Sequence, residues 1–322
     1  MLLKEVSSGG SESANMVVDM VLAEAPLLRF MHFFVEPGGA ASLRKDADVN
    51  AQAGFRALNE DYVTSAQGDP ALAAFALKIF GKTLKVDRAY ERRGVVKGGA
   101  DPVVSELMRQ LRAFARTLGK NLQEYLVTGD TAVSVKQFNG LKKTVAGLAE
   151  TQTLTEMGEN GMQILTGTTD AAKKSQQAFV EALNTLISSV SGGAQCVVLN
   201  SRVISRLSTI AKDNVSTTKD EFGRQITMFN DVPIVHAGYK YDGSEILPLS
   251  ETKGTSTDCT TAYALRTEEA AYWSFMTTPG GLSVYDAQLV GNFYEQTVEL
   301  QLDSGEPFNP RSIACLPGIR IG

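Results

Sequence analysis

The stretch Cys196-Val-Val-Leu-Asn200 decides the fold of this chain, together with Asp231-Val-Pro-Ile-Val235 about thirty residues later. Each is a short apolar run rich in valine and bounded by polar residues, which is typical of a buried strand. The first run leads into Ser201-Arg-Val-Ile-Ser-Arg-Leu207, where apolar residues recur at helical spacing and Asn200 or Ser201 is the N-cap. We therefore predict a buried strand, a helix entered through a sharp turn, and a second buried strand.

The N-terminal part of the chain predicts extended and peripheral structure. Residues 1–49 form an arm with few core residues, whose helix-like piece from Asn15 ends at Pro26 because proline ends a helix. Such an arm must lie on something else, and we expect neighbouring subunits to order it. In the extended segment 50–99, the alternation of apolar and polar residues over Leu77–Asp87 predicts two short strands that turn near Gly81-Lys82.

A long helix is the clearest single element, beginning at Asp101-Pro102 with an N-cap residue and a proline at the first helical position. Its predicted apolar face consists of Val104, Leu107, Met108, Leu111, Phe114, Ala115, Leu118, Leu122 and Leu126. A second, basic stripe consists of Arg109, Arg112, Arg116 and Lys120. This stripe is either the solvated back of an amphipathic helix or a surface that faces a polyanion, and Glu106 and Glu124 are the only acids near it.

The C-terminal part of the chain is mostly strands. After a helix over about residues 171–190 and the strand–helix unit at Cys196, short strands follow one another from residue 224 to the end. Helices that precede a run of strands, with few strand–helix–strand units, favour the α+β class. We predict an α+β fold for the chain.

The sequence carries no signature of catalysis or of a metal site. Nucleotide-binding, serine hydrolase and zinc protease motifs are absent from it. The two histidines, His32 and His236, have no second ligand at suitable spacing. Cys196, Cys259 and Cys315 are far apart in sequence, and we expect buried free thiols. We therefore nominate no catalytic, metal-binding or cofactor-binding residue, and no run of the roughly 18 apolar residues of a membrane span exists.

Charge is unevenly distributed along the chain. Residues 78–120 contain eleven basic and four acidic residues, whereas residues 281–322 contain five acidic and two basic residues. An asymmetry of this kind indicates surfaces that attract each other or attract a polyanion.

The order of these features resembles the major capsid proteins of tailed double-stranded DNA bacteriophages, whose fold is shared with herpesvirus capsid floors and encapsulin shells. The resemblance covers nearly the whole chain, and each matching motif is only a few residues long. The matching stretches are Gly54-Phe-Arg-Ala-Leu-Asn59, Leu84-Lys-Val-Asp-Arg88, the helix from Asp101, Gly129-Asp-Thr131, Phe138-Asn-Gly-Leu141, Val198-Leu-Asn-Ser-Arg202, Val232-Pro-Ile-Val235 and Phe308-Asn-Pro-Arg-Ser-Ile-Ala-Cys-Leu316.

The resemblance implies a domain plan. It consists of an N-terminal arm (1–49), an extended β-hairpin loop (50–99), a long spine helix with the start of a peripheral domain (100–139), an axial domain (140–280) and closing strands of the peripheral domain (281–322). At Asp303-Ser-Gly-Glu-Pro307 the chain departs from the regular strand usual in the family. Glycine and proline are poorly tolerated in a central strand, so we expect a turn or a bulge there.

The resemblance also implies a function and partners. The chain would assemble as pentamers and hexamers into an icosahedral head around double-stranded DNA, with a portal at one vertex. A separate scaffolding protein is expected because the arm begins almost at Met1, and a decoration protein is left open. The protein would be a virion component assembled in the bacterial host cytoplasm. An encapsulin-like cargo shell and an unrelated cytosolic α+β enzyme are the alternatives.

Two sets of charged residues are the candidate sites of such a subunit. In the first set, basic residues of the extended loop contact acidic residues of a neighbouring subunit's closing strands. Its members are Lys78, Lys82, Lys85, Arg88, Arg92 and Arg93 on the basic side and Glu295, Glu299, Asp303 and Glu306 on the acidic side. The second set is the basic stripe Arg109, Arg112, Arg116 and Lys120, which would face DNA or an acidic scaffolding protein inside the shell.

Overall fold

The structure of the chain is a computed structural model that describes residues 1–7, 12–44, 56–58, 72–92, 102–148, 152–219, 225–268 and 272–321. The helices are α1 (Leu3–Val6), α2 (Glu12–Glu24), α3 (Pro102–Thr128), α4 (Leu141–Ala146), α5 (Asp170–Ser189) and α6 (Ser201–Ile210). The strands are β1 (Phe33–Val35), β2 (Ala40–Arg44), β3 (Leu72–Ala76), β4 (Lys78–Asp87), β5 (Met162–Ile164), β6 (Cys196–Leu199), β7 (Val215–Lys219), β8 (Gln225–Phe229), β9 (Val232–His236), β10 (Glu251–Lys253), β11 (Ser256–Leu265), β12 (Phe275–Val284), β13 (Gln288–Val290), β14 (Phe293–Asp303) and β15 (Ile313–Ile321). Short 3-10 helices lie at Pro26–Arg29, Arg88–Arg92 and Pro310–Ser312.

The larger sheet contains the two strands that the sequence places first. Its order is β5-β15-β11-β6-β9-β8-β7, with β10 paired to β11, and β6 runs parallel to β9. The side chains of β6 alternate between two hydrophobic cores, so that the strand is buried on both faces and reads as a continuous apolar run. The side chain of Asn200 accepts a hydrogen bond from the Arg202 backbone N–H at 2.7 Å, which confirms it as the N-cap of α6.

A second sheet of five strands, called the smaller sheet below, has the order β1-β12-β14-β13, with β4 paired along the other edge of β14. Strands β2 and β3 form a separate two-stranded sheet. The expected turn near Gly81-Lys82 is wrong, because β4 runs without interruption through ten residues opposite β14. Gly81 serves a close approach between strands instead of a turn. A Cβ at this position would lie 2.2 Å from the carbonyl oxygen of Val298 on β14.

The spine helix α3 is confirmed and, at 27 residues, is about 40 Å long. Leu111, Leu118 and Leu122 are fully buried against α2 and the smaller sheet. Val104, which the sequence placed on the apolar face, is instead 56% exposed. The predicted N-cap Asp101 lies outside the described residues.

The N-terminal arm is part of the hydrophobic core, contrary to the expectation that it has few core residues. Val17 and Val21 of α2 are fully buried, as are Leu27 and Leu28 of the following turn. Gly119 lets α2 approach α3 closely, since a Cβ there would lie 2.9 Å from the carbonyl oxygen of Val21. Strand β1 of the arm pairs in parallel with β12. Apolar residues one helical turn apart therefore hold the arm on its own chain.

The C-terminal strands are divided between the two sheets. Strands β13 and β14 belong to the smaller sheet, whereas β15 lies between β5 and β11 in the larger sheet. Residues 281–322 therefore do not form one group of closing strands, because β15 pairs with β11 in the larger sheet while β13 and β14 lie in the smaller sheet. The predicted break in the strand is present: β14 ends at Asp303, and Gly305 has a φ of 52°. Among the described residues, no helix combines the length and apolar character that crossing a bilayer requires.

Candidate interaction surfaces

The first set of charged residues meets within one chain. Because β4 pairs antiparallel with β14, Lys85 lies opposite Glu295 and its Nζ is 2.7 Å from the Glu295 Oε1. The next outward-facing pair, Thr83 and Thr297, has hydroxyl oxygens 3.0 Å apart. Lys85 and Glu295 therefore meet within the chain, since strand pairing places both charges on one face of the same sheet, and a contact of either residue with another subunit stays a prediction.

Asp303 also has an internal role. Its side chain is buried and accepts hydrogen bonds from the backbone N–H of Ala76 at 2.7 Å and of Ser304 at 3.0 Å. Burial raises the pKa of this carboxyl, and these two hydrogen bonds and the charge of Lys78 oppose the rise. The carboxylate therefore fastens the end of β3 to the end of β14 within the chain, and a contact of Asp303 with another subunit stays a prediction.

The other members of the first set have different environments. Glu299 accepts a hydrogen bond from Gln301 Nε2 at 2.6 Å, and Arg88 lies 3.6 Å from Glu91. Lys78 and Lys82 have no carboxylate within 4 Å among the described residues. Glu306 is exposed, and the side chain of Arg92 and the whole of Arg93 lie outside the described residues. A contact of Lys78, Lys82 and Glu306 with another subunit stays a prediction.

The basic stripe on α3 contains three unneutralised cations, not four. Arg109 donates two hydrogen bonds to Glu106, from Nε at 2.8 Å and from Nη2 at 2.6 Å. The Arg109 guanidinium thereby lowers the pKa of Glu106 to about 2, with help from Gln110. Within the described part of the chain, no carboxylate lies within 4 Å of Arg112, Arg116 or Lys120.

The spacing of the three cations makes them one line of charge. Arg112 and Arg116 are exposed and Lys120 is half-buried. They follow one another at intervals of four residues, so they lie on one side of α3 about 6 Å apart along its axis. Glu124, the other acid near the stripe, is 3.3 Å from Lys240. The line can hold a polyanion by contacts to its charged groups that read no sequence.

The cysteines and histidines have structural environments. The expectation of buried free thiols is confirmed for Cys196, Cys259 and Cys315, and burial raises the pKa of Cys196 far above its ordinary value. His32 Nδ1 lies 2.9 Å from the Thr267 hydroxyl. Burial and the charge of Arg29 lower the pKa of His236. In the described ranges, no group of three or more potential ligands could hold a metal ion.

Sequence reasoning missed surface features that depend on distant segments. Val133 and Val135, in the loop between α3 and α4, are 80% and 79% exposed. Phe80, Phe114 and Tyr241 come together around one groove. Nothing in the local sequence pattern brings residues of a strand, a helix and a loop to the same place.

Comparison with known proteins shows the fold. No protein-family model matches the sequence, and no curated protein matches it. The structure is similar to the holo-SrpI encapsulin complex from Synechococcus elongatus PCC 7942, with 15% identity, a TM-score of 0.57, and coverage of 91% of this chain and 87% of that chain. It is also similar to the capsid of a native GTA particle, with 12% identity, a TM-score of 0.53, and coverage of 93% and 90%. The chain has the α+β fold of these shell proteins, so the resemblance stated from its sequence is confirmed for the fold.

Proposed function

We propose that this chain, which has a shell-protein fold, is a structural subunit that assembles with copies of itself as pentamers and hexamers into an icosahedral phage head. The head encloses double-stranded DNA, and the chain is not an enzyme. The observation that carries the proposal is the similarity to a GTA capsid over 93% of this chain, which leaves little of the chain for any other domain. The protein is then a virion component, assembled in the cytoplasm of a bacterial host.

The charge of α3 supports an interior role for this helix. Arg112, Arg116 and Lys120 form a line of cations that no carboxylate of the described residues neutralises. Repeated in every subunit, such a line gives a continuous positive lining whose attraction for DNA or an acidic scaffolding protein is screened by salt. The proposal includes a separate scaffolding protein and a portal at one vertex as partners.

An encapsulin-like shell that encloses a protein cargo is the second candidate function. The observation that favours it is the similarity to the encapsulin complex, with a TM-score of 0.57 over 91% of the chain. A shared fold does not by itself distinguish the two, since function depends on what the interior surface binds.

Expression alone and together with the flanking genes, followed by size-exclusion chromatography and electron microscopy, tests the proposal. We expect icosahedral particles, and nuclease-protected double-stranded DNA within them supports the phage head. Particles that contain protein and no DNA support the encapsulin-like shell. A stable monomer of 34.6 kDa under both conditions would overturn both functions.

A further inference from the structure

A groove with an apolar floor lies between β4 and the N-terminal half of α3, and its volume is about 520 Å³. Leu84 and Leu118 are buried in it, and Phe80 and Phe114 are half-buried. Phe80 and Leu84 are on the same face of β4, whereas Phe114 and Leu118 are one turn apart on α3. The periods of a strand and of a helix thus direct four apolar side chains into one concavity.

The surroundings of the groove are basic and aromatic. Lys82, between Phe80 and Leu84 on the same face of β4, is exposed and has no carboxylate within 4 Å in the described ranges. Arg109, which Glu106 neutralises, lines the groove, and Arg112 and Arg116 line an adjoining depression of α3 that shares Arg109 and Ala113 with it. None of the described lining residues is acidic. The groove therefore attracts negative charge while offering apolar surface.

A protein surface that binds duplex DNA needs cations. A concave apolar floor adds no contact to such a ligand, because phosphates and sugars present no apolar side chain. Concave apolar sites with a few charged groups at the edge are instead typical of peptide and ligand recognition. A polypeptide can satisfy both features at once, with carboxylates against the cations and a leucine or aromatic side chain in the groove.

We propose that this groove binds a short acidic segment of a partner protein, which inserts an apolar side chain between β4 and α3 and sets its carboxylates against Lys82, Arg112 and Arg116. The inference rests on the proposed function, since it names the partner of the basic surface of a shell subunit. An acidic protein, not the packaged DNA, then occupies this part of α3.

Two labelled synthetic peptides test the proposal on the full chain by fluorescence anisotropy. One contains glutamates interspersed with leucines, and its twin has every leucine replaced by serine. Burial of one leucine corresponds to about tenfold in affinity or more, so we expect the leucine peptide to bind at least about tenfold more tightly than its twin. The substitution Ala113→Trp fills the groove, because Ala113 is an exposed lining residue. It removes no charge, since alanine and tryptophan are both uncharged. It should abolish the advantage of the leucine peptide.

The matched control is Ala146→Trp, at an exposed alanine at the end of α4 and outside the groove, which should leave both affinities unchanged. Thermal unfolding of both variants shows whether each is folded. Equal binding of the two peptides to the wild type, or an unchanged leucine advantage in Ala113→Trp, would overturn the proposal. Tighter binding of a labelled single-stranded or duplex DNA that Ala113→Trp blocks would replace the acidic segment with nucleic acid.

The same preparations keep this inference separate from the proposed function. If the wild type forms icosahedral particles but does not prefer the leucine peptide, the proposed partner of the groove is contradicted and the shell function is not. A wild type that never forms particles but binds the leucine peptide at the groove contradicts the shell function alone.

Discussion

The β4–β14 pair and the α3 stripe are both clusters of charge, yet they differ in how that charge is compensated. In the strand pair, Lys85 and Glu295 come from segments about 200 residues apart and meet at 2.7 Å. On α3, Arg112 and Arg116 have no such partner among the described residues. The charges of a strand are neutralised by side chains of the strand that pairs with it. The charges of a helix face are neutralised mainly by residues of the same helix three and four positions away. An unneutralised stripe on a helix is therefore the better candidate for an outside partner.

The charges of the strand pair are not what holds it together. Lys85 is about half exposed, and an ion pair of this kind contributes about 0 to 1 kcal/mol. On the opposite face, Leu84 of β4 and Val298 and Leu300 of β14 are buried in the core beneath α3. Apolar burial and the backbone hydrogen bonds between β4 and β14 stabilise this region, and the charges on its outer face contribute little.

The largest effect is expected from Gly81→Val, which breaks the strand pair itself. The new Cβ would meet the Val298 carbonyl oxygen at 2.2 Å, so β4 and β14 must separate. We expect a loss of about 3 kcal/mol or more in the free energy of unfolding, measured by urea denaturation. Ile79→Val, at a 68% exposed position on the same face of β4, is the control and should cost less than about 0.5 kcal/mol. Equal stability of the two variants would show that the close approach at Gly81 does not matter.

The next largest effect is on binding, from the combined change of Arg112, Arg116 and Lys120 to Gln. With duplex DNA as a polyanion probe, the loss of these three cations should weaken binding at low salt by about tenfold or more. It should also reduce the slope of log affinity against log salt concentration by about 2 to 3. Unfolding stability should change by less than about 0.5 kcal/mol, because these side chains are surface groups.

Glu106→Gln combined with Arg109→Gln is the matched control for that experiment. Because the charges of Glu106 and Arg109 already cancel, the loss of both should change DNA affinity less than the loss of Arg112 alone. A salt slope that is the same for the triple variant and the wild type would contradict the assignment of the stripe to a polyanion.

A smaller effect, dependent on pH, is expected at Asp303 where the strand pair ends. Its folded-state pKa is raised by burial, so the folded protein binds this proton more tightly than the unfolded chain does. Asp303→Asn removes the titration. As pH rises from the ordinary aspartate pKa of about 3.9 through the folded value, the stability of the wild type should therefore fall relative to this variant. Denaturation midpoints measured across this range check the sign.

Asp258→Asn is the comparison with the opposite sign. The Arg320 hydrogen bond lowers the pKa of Asp258, so the wild type should gain stability relative to this variant as pH rises through the aspartate range. If both variants show the same sign of pH dependence, the burial of Asp303 is not what governs its titration.

The smallest effect is expected from the ion pair itself. A double-mutant cycle with Lys85→Gln and Glu295→Gln should give a coupling energy of about 0.5 kcal/mol that declines with added salt. Thr83→Val, in the neighbouring Thr83–Thr297 pair, is a control that changes the outer face of the strand pair without removing a charge. A coupling above about 2 kcal/mol would mean that the charges, and not the apolar face, hold β4 on β14.

Local sequence patterns predicted the elements better than their partners. The strand at Cys196, the Asn200 cap, the helix α3 and the break after Asp303 follow from periodicity and from residues with strong backbone preferences. The prediction of a turn at Gly81 was wrong because a glycine inside a strand can mark either a bend or a close approach between backbones. The arm was underestimated because many of its apolar residues, such as Val17, Val21 and Leu27, are fully buried.

The sequence by itself determined the α+β class, the two buried strands and the basic stripe, because these depend on spacing along one segment. Only the tertiary structure decided that Lys85 meets Glu295 within the chain, that Asp303 fastens β3, and that Phe80 and Phe114 share a groove. Each of these involves segments between about 30 and 230 residues apart, and the register of strand pairing and the packing of α3 on the sheet bring them together. Charge and apolar content are local properties, whereas their compensation is set by which segments lie side by side.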